Sequence, residues 1–109
     1  MSEKDAIIVL VTAGSAEEAV KIARSVVEER LAACVNIVSG VRSIYRWEGK
    51  VTEDAEWLLV MKTSRARFAA LEARIRELHS YQVPEVMAFD VATGSRPYLD
   101  WLLGSVANA

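Results

Sequence analysis

Ala6-Ile7-Ile8-Val9-Leu10-Val11, closed off by Gly14 and followed by Ser15-Ala16-Glu17-Glu18, is the stretch that decides the fold. Its first part is continuous, apolar and rich in β-branched residues, which predicts a strand buried on both faces. Ser15 and Glu18 then form a capping box: the Ser15 hydroxyl accepts from the Glu18 amide while the Glu18 carboxylate reaches back. Ala19, Ile22, Ala23, Val26 and Val27 follow at helical spacing, with Lys21, Arg24, Glu28 and Glu29 outside. A strand leading directly into an amphipathic helix, predicted over Ala16 to Leu31, sets the βα beat for the rest of the chain.

Working outward, Ala32 to Val38 reads as a second strand ending near Gly40. Val41 to Lys50 is rich in aromatic and β-branched residues and closes on Glu48-Gly49, the signature of a hairpin tip. The return strand covers Val51 to Thr63, with Glu56, Leu58, Val60 and Lys62 on one face and Trp57, Leu59 and Met61 on the other. Ser64 is placed to cap a second helix whose stripe is Phe68, Leu71, Ile75 and Leu78. His79 to Pro84 is a loop, Val86 to Ala92 a last strand, and Pro97 opens a C-terminal helix carrying Tyr98, Trp101, Leu102 and Leu103. The order β-α-β-β-α-β plus a terminal helix predicts an α+β, ferredoxin-like plan: an antiparallel sheet with two helices on one face. Its other face is open, yet its strands are apolar on both sides. A lone monomer would expose an unusually large apolar patch, so a second copy of the chain is expected to cover it.

Composition agrees with one folded domain over residues 1–109. The 109 residues are 52% hydrophobic and 26% charged, with a net charge of −2. A single cysteine, Cys34, can form no internal disulfide, which fits a reducing, cytoplasmic setting. The polar start Met1-Ser2-Glu3-Lys4-Asp5 and the short apolar run after it match neither a signal peptide nor the ~20 residues of a membrane span. The mildly acidic balance argues against nucleic acid as a partner.

No phosphate-binding, dinucleotide-binding, HExxH or CxxC motif is present. The lone histidine, His79, argues against a nucleophilic triad, and neither an enzymatic activity nor an organic cofactor is expected. Cys34 lies mid-strand, where it reads either as a small core hydrophobe or as a soft-metal ligand. His79 follows a helix end and is either a cap or, with Tyr81 and Glu85 close by on a loop stiffened by Pro84, part of a site. Glu56 and Lys62 share a face of an apolar strand, as an ion pair or as functional groups. Tyr45, Trp47 and Trp57 read as hairpin-packing aromatics.

Several of these segments carry a resemblance. Leu31-Ala32-Ala33-Cys34-Val35-Asn36-Ile37, Ser43-Ile44-Tyr45-Arg46-Trp47-Glu48-Gly49-Lys50, Lys62-Thr63, His79-Ser80-Tyr81-Gln82-Val83-Pro84-Glu85 and Tyr98-Leu99-Asp100-Trp101-Leu102 resemble, in unbroken order, the divalent-cation tolerance family CutA. The resemblance implies a ferredoxin-like fold, a tight homotrimer, and a role in tolerance of copper and other divalent cations. It also implies a site in clefts between subunits. Cys34, His79, Glu85 and Glu56 are then the candidate metal ligands, with Lys62 and Tyr81 as candidate ligand-binding residues. Some members carry two further cysteines where this chain has Val11 and Arg74, so a multi-thiolate copper site is not implied here. A second reading, by fold-level analogy with signalling trimers, is a sensor that binds a small anionic metabolite between subunits.

Overall fold

The computed structural model describes residues 5–107; the polar start Met1–Lys4 lies outside them. Its elements are β1 (Ala6–Ala13), α1 (Ala16–Glu28), β2 (Cys34–Trp47), β3 (Lys50–Ser64), α2 (Phe68–Leu78), β4 (Met87–Asp90) and α3 (Arg96–Val106). The strands form one sheet in the order β2-β3-β1-β4 with every neighbour antiparallel, which is the ferredoxin-like arrangement expected.

The helix-covered face is the main core. Ile7, Val9, Val11 and Ala13 of β1 meet Leu59 and Met61 of β3 beneath Ala19, Ile22 and Val26 of α1 and Leu71 and Ile75 of α2. Each such fully buried aliphatic contributes about 1.5–3 kcal/mol. Trp57 packs here as well, so it is a core residue and not part of the hairpin's aromatic set.

Register fixes the opposite face. Ile8 pairs with Lys62, Leu10 with Val60 and Thr12 with Leu58, while Cys34, Asn36 and Val38 of β2 face the same three β3 residues. Side chains directly opposite one another share a face. In one chain, therefore, β1 is not buried on both faces: Ile8, Leu10 and Thr12 are only half-buried. One end of this face is closed by α3, whose Leu99, Leu102, Leu103 and Val106 pack on Ala6 and Ala33.

Several boundaries differ from expectation for local reasons. Helix α1 stops at Glu28 because Arg30 adopts a left-handed φ of 59°, which returns Arg30 N–H to Val27 O and Leu31 N–H to Val26 O. This is the Schellman geometry, with arginine where glycine is usual. Gly40 does not end a strand: at φ 76° it supplies the extra residue of a bulge between Val38 and Val41, and β2 runs on to Trp47. Ser64 makes no capping bond, because a 3-10 turn at Arg65–Arg67 intervenes before α2. Strand β4 is shorter than expected, pairing with β1 only over Ile7–Leu10. The β2–β3 hairpin continues past the last β1 pair at Trp57 to a turn at Glu48-Gly49, both at positive φ, and so projects as an arm.

Candidate functional site

The six candidate residues fall into two groups at opposite ends of the open face. Cys34 pairs with Lys62, whereas Glu56 pairs with Val41 beyond the bulge. Six residues of extended strand separate Lys62 from Glu56, roughly 20 Å at ~3.3 Å per residue.

At the Lys62 end, the Cys34 sulfur lies 4.0 Å from the Tyr98 hydroxyl of α3, and the Lys62 ammonium donates to Asn36 Oδ1. Desolvation, with the Cys34 sulfur second, pushes the Tyr98 phenol above its ordinary pKa. Glu56 and Lys62 are not an ion pair.

At the other end, the 79–85 loop folds back over the turn between β1 and α1. His79 is buried and ends α2 with its N–H on Ile75 O. Its Nε2–H donates to the Thr12 carbonyl at 2.7 Å, and its Nδ1 accepts the Tyr81 N–H at 3.0 Å. A carbonyl only accepts and an amide N–H only donates, so these two partners define a neutral ring protonated at Nε2. Both nitrogens of the candidate metal ligand are thus engaged within the chain. The Ser80 N–H donates to Glu18 Oε2 at 2.8 Å, so the Glu18 carboxylate pins the loop instead of completing its own capping box; only the Ser15 half of the box forms, at 3.1 Å. Burial raises the Glu18 carboxyl, but the Ser80 hydrogen bonds, helped by the nearby His79 ring and the Gly14 backbone, outweigh it and hold the group below its ordinary value.

Tyr81 completes the latch. Its ring lies 4.5 Å from that of His79, and its hydroxyl donates to Glu56 Oε2 at 2.7 Å. Glu56, only 7% exposed, is held here as a charged acceptor. Gly14 makes this possible, since a Cβ there would sit 3.0 Å from the Tyr81 hydroxyl. Desolvation and then the bond to Glu56 push the Tyr81 phenol far above its ordinary pKa. Desolvation, reinforced by the charge of nearby Glu56, raises the Glu85 carboxyl.

Between loop and arm lies a cleft of about 500 Å³, walled by Tyr45, Trp47 and Tyr81, with Ile44, Val83, Thr12 and Ser43 filling in and Glu56 and Glu85 as its charged groups. Tyr45 donates its hydroxyl to Asp54. The sequence pattern did not reveal Gly14, Thr12 or Glu18 as parts of this arrangement, because their roles depend on which loop lies over them. Gly14 read only as a strand terminator.

This fold and this spacing recur in known proteins. The CutA1 divalent ion tolerance protein family matches residues 7–105. The chain belongs to that family. The divalent-cation tolerance protein CutA of Thermus thermophilus is 56% identical over 95 residues, covering 87% of this chain and 92% of that protein. A solved structure of the divalent cation tolerance protein from Thermus thermophilus superposes with a TM-score of 0.92 at 52% identity, over 94% of this chain and 99% of that one. CutA1 from Oryza sativa superposes with a TM-score of 0.93 at 43% identity, over 99% and 100%. Protein CutA, chloroplastic, of Arabidopsis thaliana is 47% identical over 94% of this chain, which spans 56% of that longer protein. The two positions at which the resemblance implied further cysteines are otherwise occupied here. Val11 is fully buried in the core, and Arg74 is bound to the Glu29 carboxylate at 3.0 Å. Among the described residues no helix is long and apolar enough to cross a membrane.

Proposed function

We propose that this chain is a non-enzymatic divalent-cation tolerance protein, one domain over residues 1–109, acting in the cytoplasm as a homotrimer with metal taken up at clefts between subunits. The family match over residues 7–105 carries the reading. Assembly is supported by the open face, where Val38, Met87 and Phe89 stand exposed around half-buried Leu10, Leu58 and Val60. Monomers rarely leave so much contiguous apolar surface uncovered. The projecting arm, whose face away from the cleft carries exposed Ile44 and Val51, is the natural element to reach a neighbour. The number three rests on the family resemblance.

For the metal, Glu56 and Glu85 offer carboxylate oxygens in one cleft. Among the described residues no three His, Cys, Asp or Glu side chains converge, so a second copy or solvent must complete the shell. His79 can join only by giving up Thr12 O or the Tyr81 N–H. Cys34, at the far end, is available to a softer ion. Such a set suits harder divalent ions better than Cu(I), which thiolates select. Lys62 and Tyr81 lie at opposite ends of the face, so an anion held by both would need two copies.

Calorimetry with Cu²⁺ and Zn²⁺ on the intact assembly tests the reading. Glu85→Ala and His79→Ala should each weaken binding at least tenfold, about 1.4 kcal/mol. Unchanged affinity in both variants would place the metal elsewhere. Light scattering that finds a stable species near 12.0 kDa would overturn the assembly.

A further inference from the structure

We infer that the cleft between the arm and the 79–85 loop binds an organic ammonium ion, with its charge held at Glu56 and Glu85 beside the aromatic rings and its alkyl chain along the same walls. The inference rests on this cleft being the working site and narrows what the site takes.

Charge comes first. Both ionisable carboxylates of the cleft are acids, and no Lys, Arg or His lines it. Glu56 and Glu85 repel one another, a tension that a cation relieves and an anion worsens. The two phenol hydroxyls already serve Glu56 and Asp54, so what the walls present to a ligand is their rings. Those rings are accessible: Tyr45, Trp47 and Tyr81 are 40%, 47% and 37% exposed. A cation over an aromatic face gains about 0.5–2 kcal/mol, with Trp the best partner, and a bare hydrated metal ion makes no use of it.

Size and shape point the same way. About 500 Å³ lies within the range of small-molecule pockets and far exceeds what one ion fills. Val83 adds an aliphatic surface suited to methylene groups. A dry metal site would instead need a third donor beside the two carboxylates, and none converges there among the described residues. A carboxylate pair with aromatic and aliphatic walls matches an alkyl amine.

The test is calorimetry on the intact assembly at low salt, with 1,5-diaminopentane as probe and glutarate and 1,5-pentanediol as isosteric controls. The diamine should bind with a dissociation constant of about 1 mM or below, and neither control should bind. Glu85→Gln, which is exposed and leaves the fold intact, and Trp47→Leu should each weaken the diamine about tenfold. Absence of diamine binding up to about 10 mM, glutarate binding as tightly, or diamine affinity unmoved in both variants overturns the inference. Cu²⁺ titrated separately on the same proteins keeps the two readings apart. Copper bound without diamine sinks only the inference, whereas diamine bound without any divalent metal sinks the metal reading and leaves this one standing.

Discussion

The two ends of the open face are closed in opposite ways. At the Cys34 end, α3 lays Leu99, Leu102, Leu103 and Val106 onto Ala6 and Ala33, and its Tyr98 hydroxyl comes within 4.0 Å of the half-buried Cys34 sulfur. At the Glu56 end the cover is a loop held by separate polar pins: His79 on Thr12, Ser80 on Glu18, and Tyr81 on Glu56. Apolar burial is strong, non-directional and tolerant of small shifts. Hydrogen bonds to near-buried charges are directional and leave carboxylates at a cleft wall. The same sheet thus carries one end covered by apolar packing, with Cys34 and Lys62 half-buried at its margin, and one end covered by polar pins that leave carboxylates at a cleft wall.

The comparison breaks most directly at the apolar end. Leu102 is 1% exposed, and Leu102→Ala should cost about 2–5 kcal/mol by lost transfer energy plus cavity. Urea denaturation measures it. A loss below about 1 kcal/mol would mean that α3 is a loosely held appendage and not a packed cover.

The sheet and its helices were legible in the sequence because period and punctuation report burial directly. The unbroken apolar run Ala6 to Val11 marked the strand, although Ile7, Val9 and Val11 are buried while Ile8 and Leu10 are only half-buried, and Ile22 and Val26 carry the first helical stripe. Arg30 shows where such reading stops: a left-handed arginine costs roughly 1–2 kcal/mol, and tertiary packing of Leu31 and Ala32 imposes it against local preference. The candidate site was half legible. Its candidate residues stand out by type, but their division between two ends follows from the pairing along β3, which sets Cys34 opposite Lys62 and Glu56 beyond the bulge. Gly14 and Glu18 act through a loop more than sixty residues later, which no local pattern encodes.

At the pinned end, Tyr81→Phe removes a donor from a carboxylate that has little water to replace it. About 1.5–3 kcal/mol should be lost, the range for hydrogen bonds to charged groups. Glu56→Gln in the same background recovers part of it, because a neutral amide needs the donor less. If Tyr81→Phe is as stable as the parent, the loop is held by His79 and Ser80 alone.

Gly14→Ala should cost about 1 kcal/mol, at the low end of overpacking, since the new methyl meets a ring tethered by its hydroxyl to Glu56 and by its backbone N–H to His79. The sharper measurement is the double mutant. With Phe at position 81 the nearest ring carbon to that Cβ is 3.5 Å away, an ordinary contact, so Gly14→Ala should become nearly neutral. Strict additivity of the two losses would show that the hydroxyl is not what Gly14 accommodates.

The smallest effect is pH dependence, and its sign differs between the two carboxylates that flank the loop. Glu18 is held below its ordinary value of 4.5, so its contribution is present above that pH and is lost as pH falls through the lower, folded value. Glu85 is raised above 4.5, so its contribution is full below that pH and is lost as pH rises through the raised value. Both groups are largely in contact with solvent, and screening keeps each effect below about 1 kcal/mol. Thermal melts of Glu18→Gln and Glu85→Gln across pH, each subtracted from the parent, separate them. Relative to the parent, Glu18→Gln should lose stability above pH 4.5 and converge with it in acid, whereas Glu85→Gln should gain above pH 4.5 and converge at the same acidic limit. Difference curves of the same sign would mean that the two carboxylates share one environment. The division of this end into a pinned loop on one side and a charged cleft on the other would then be wrong.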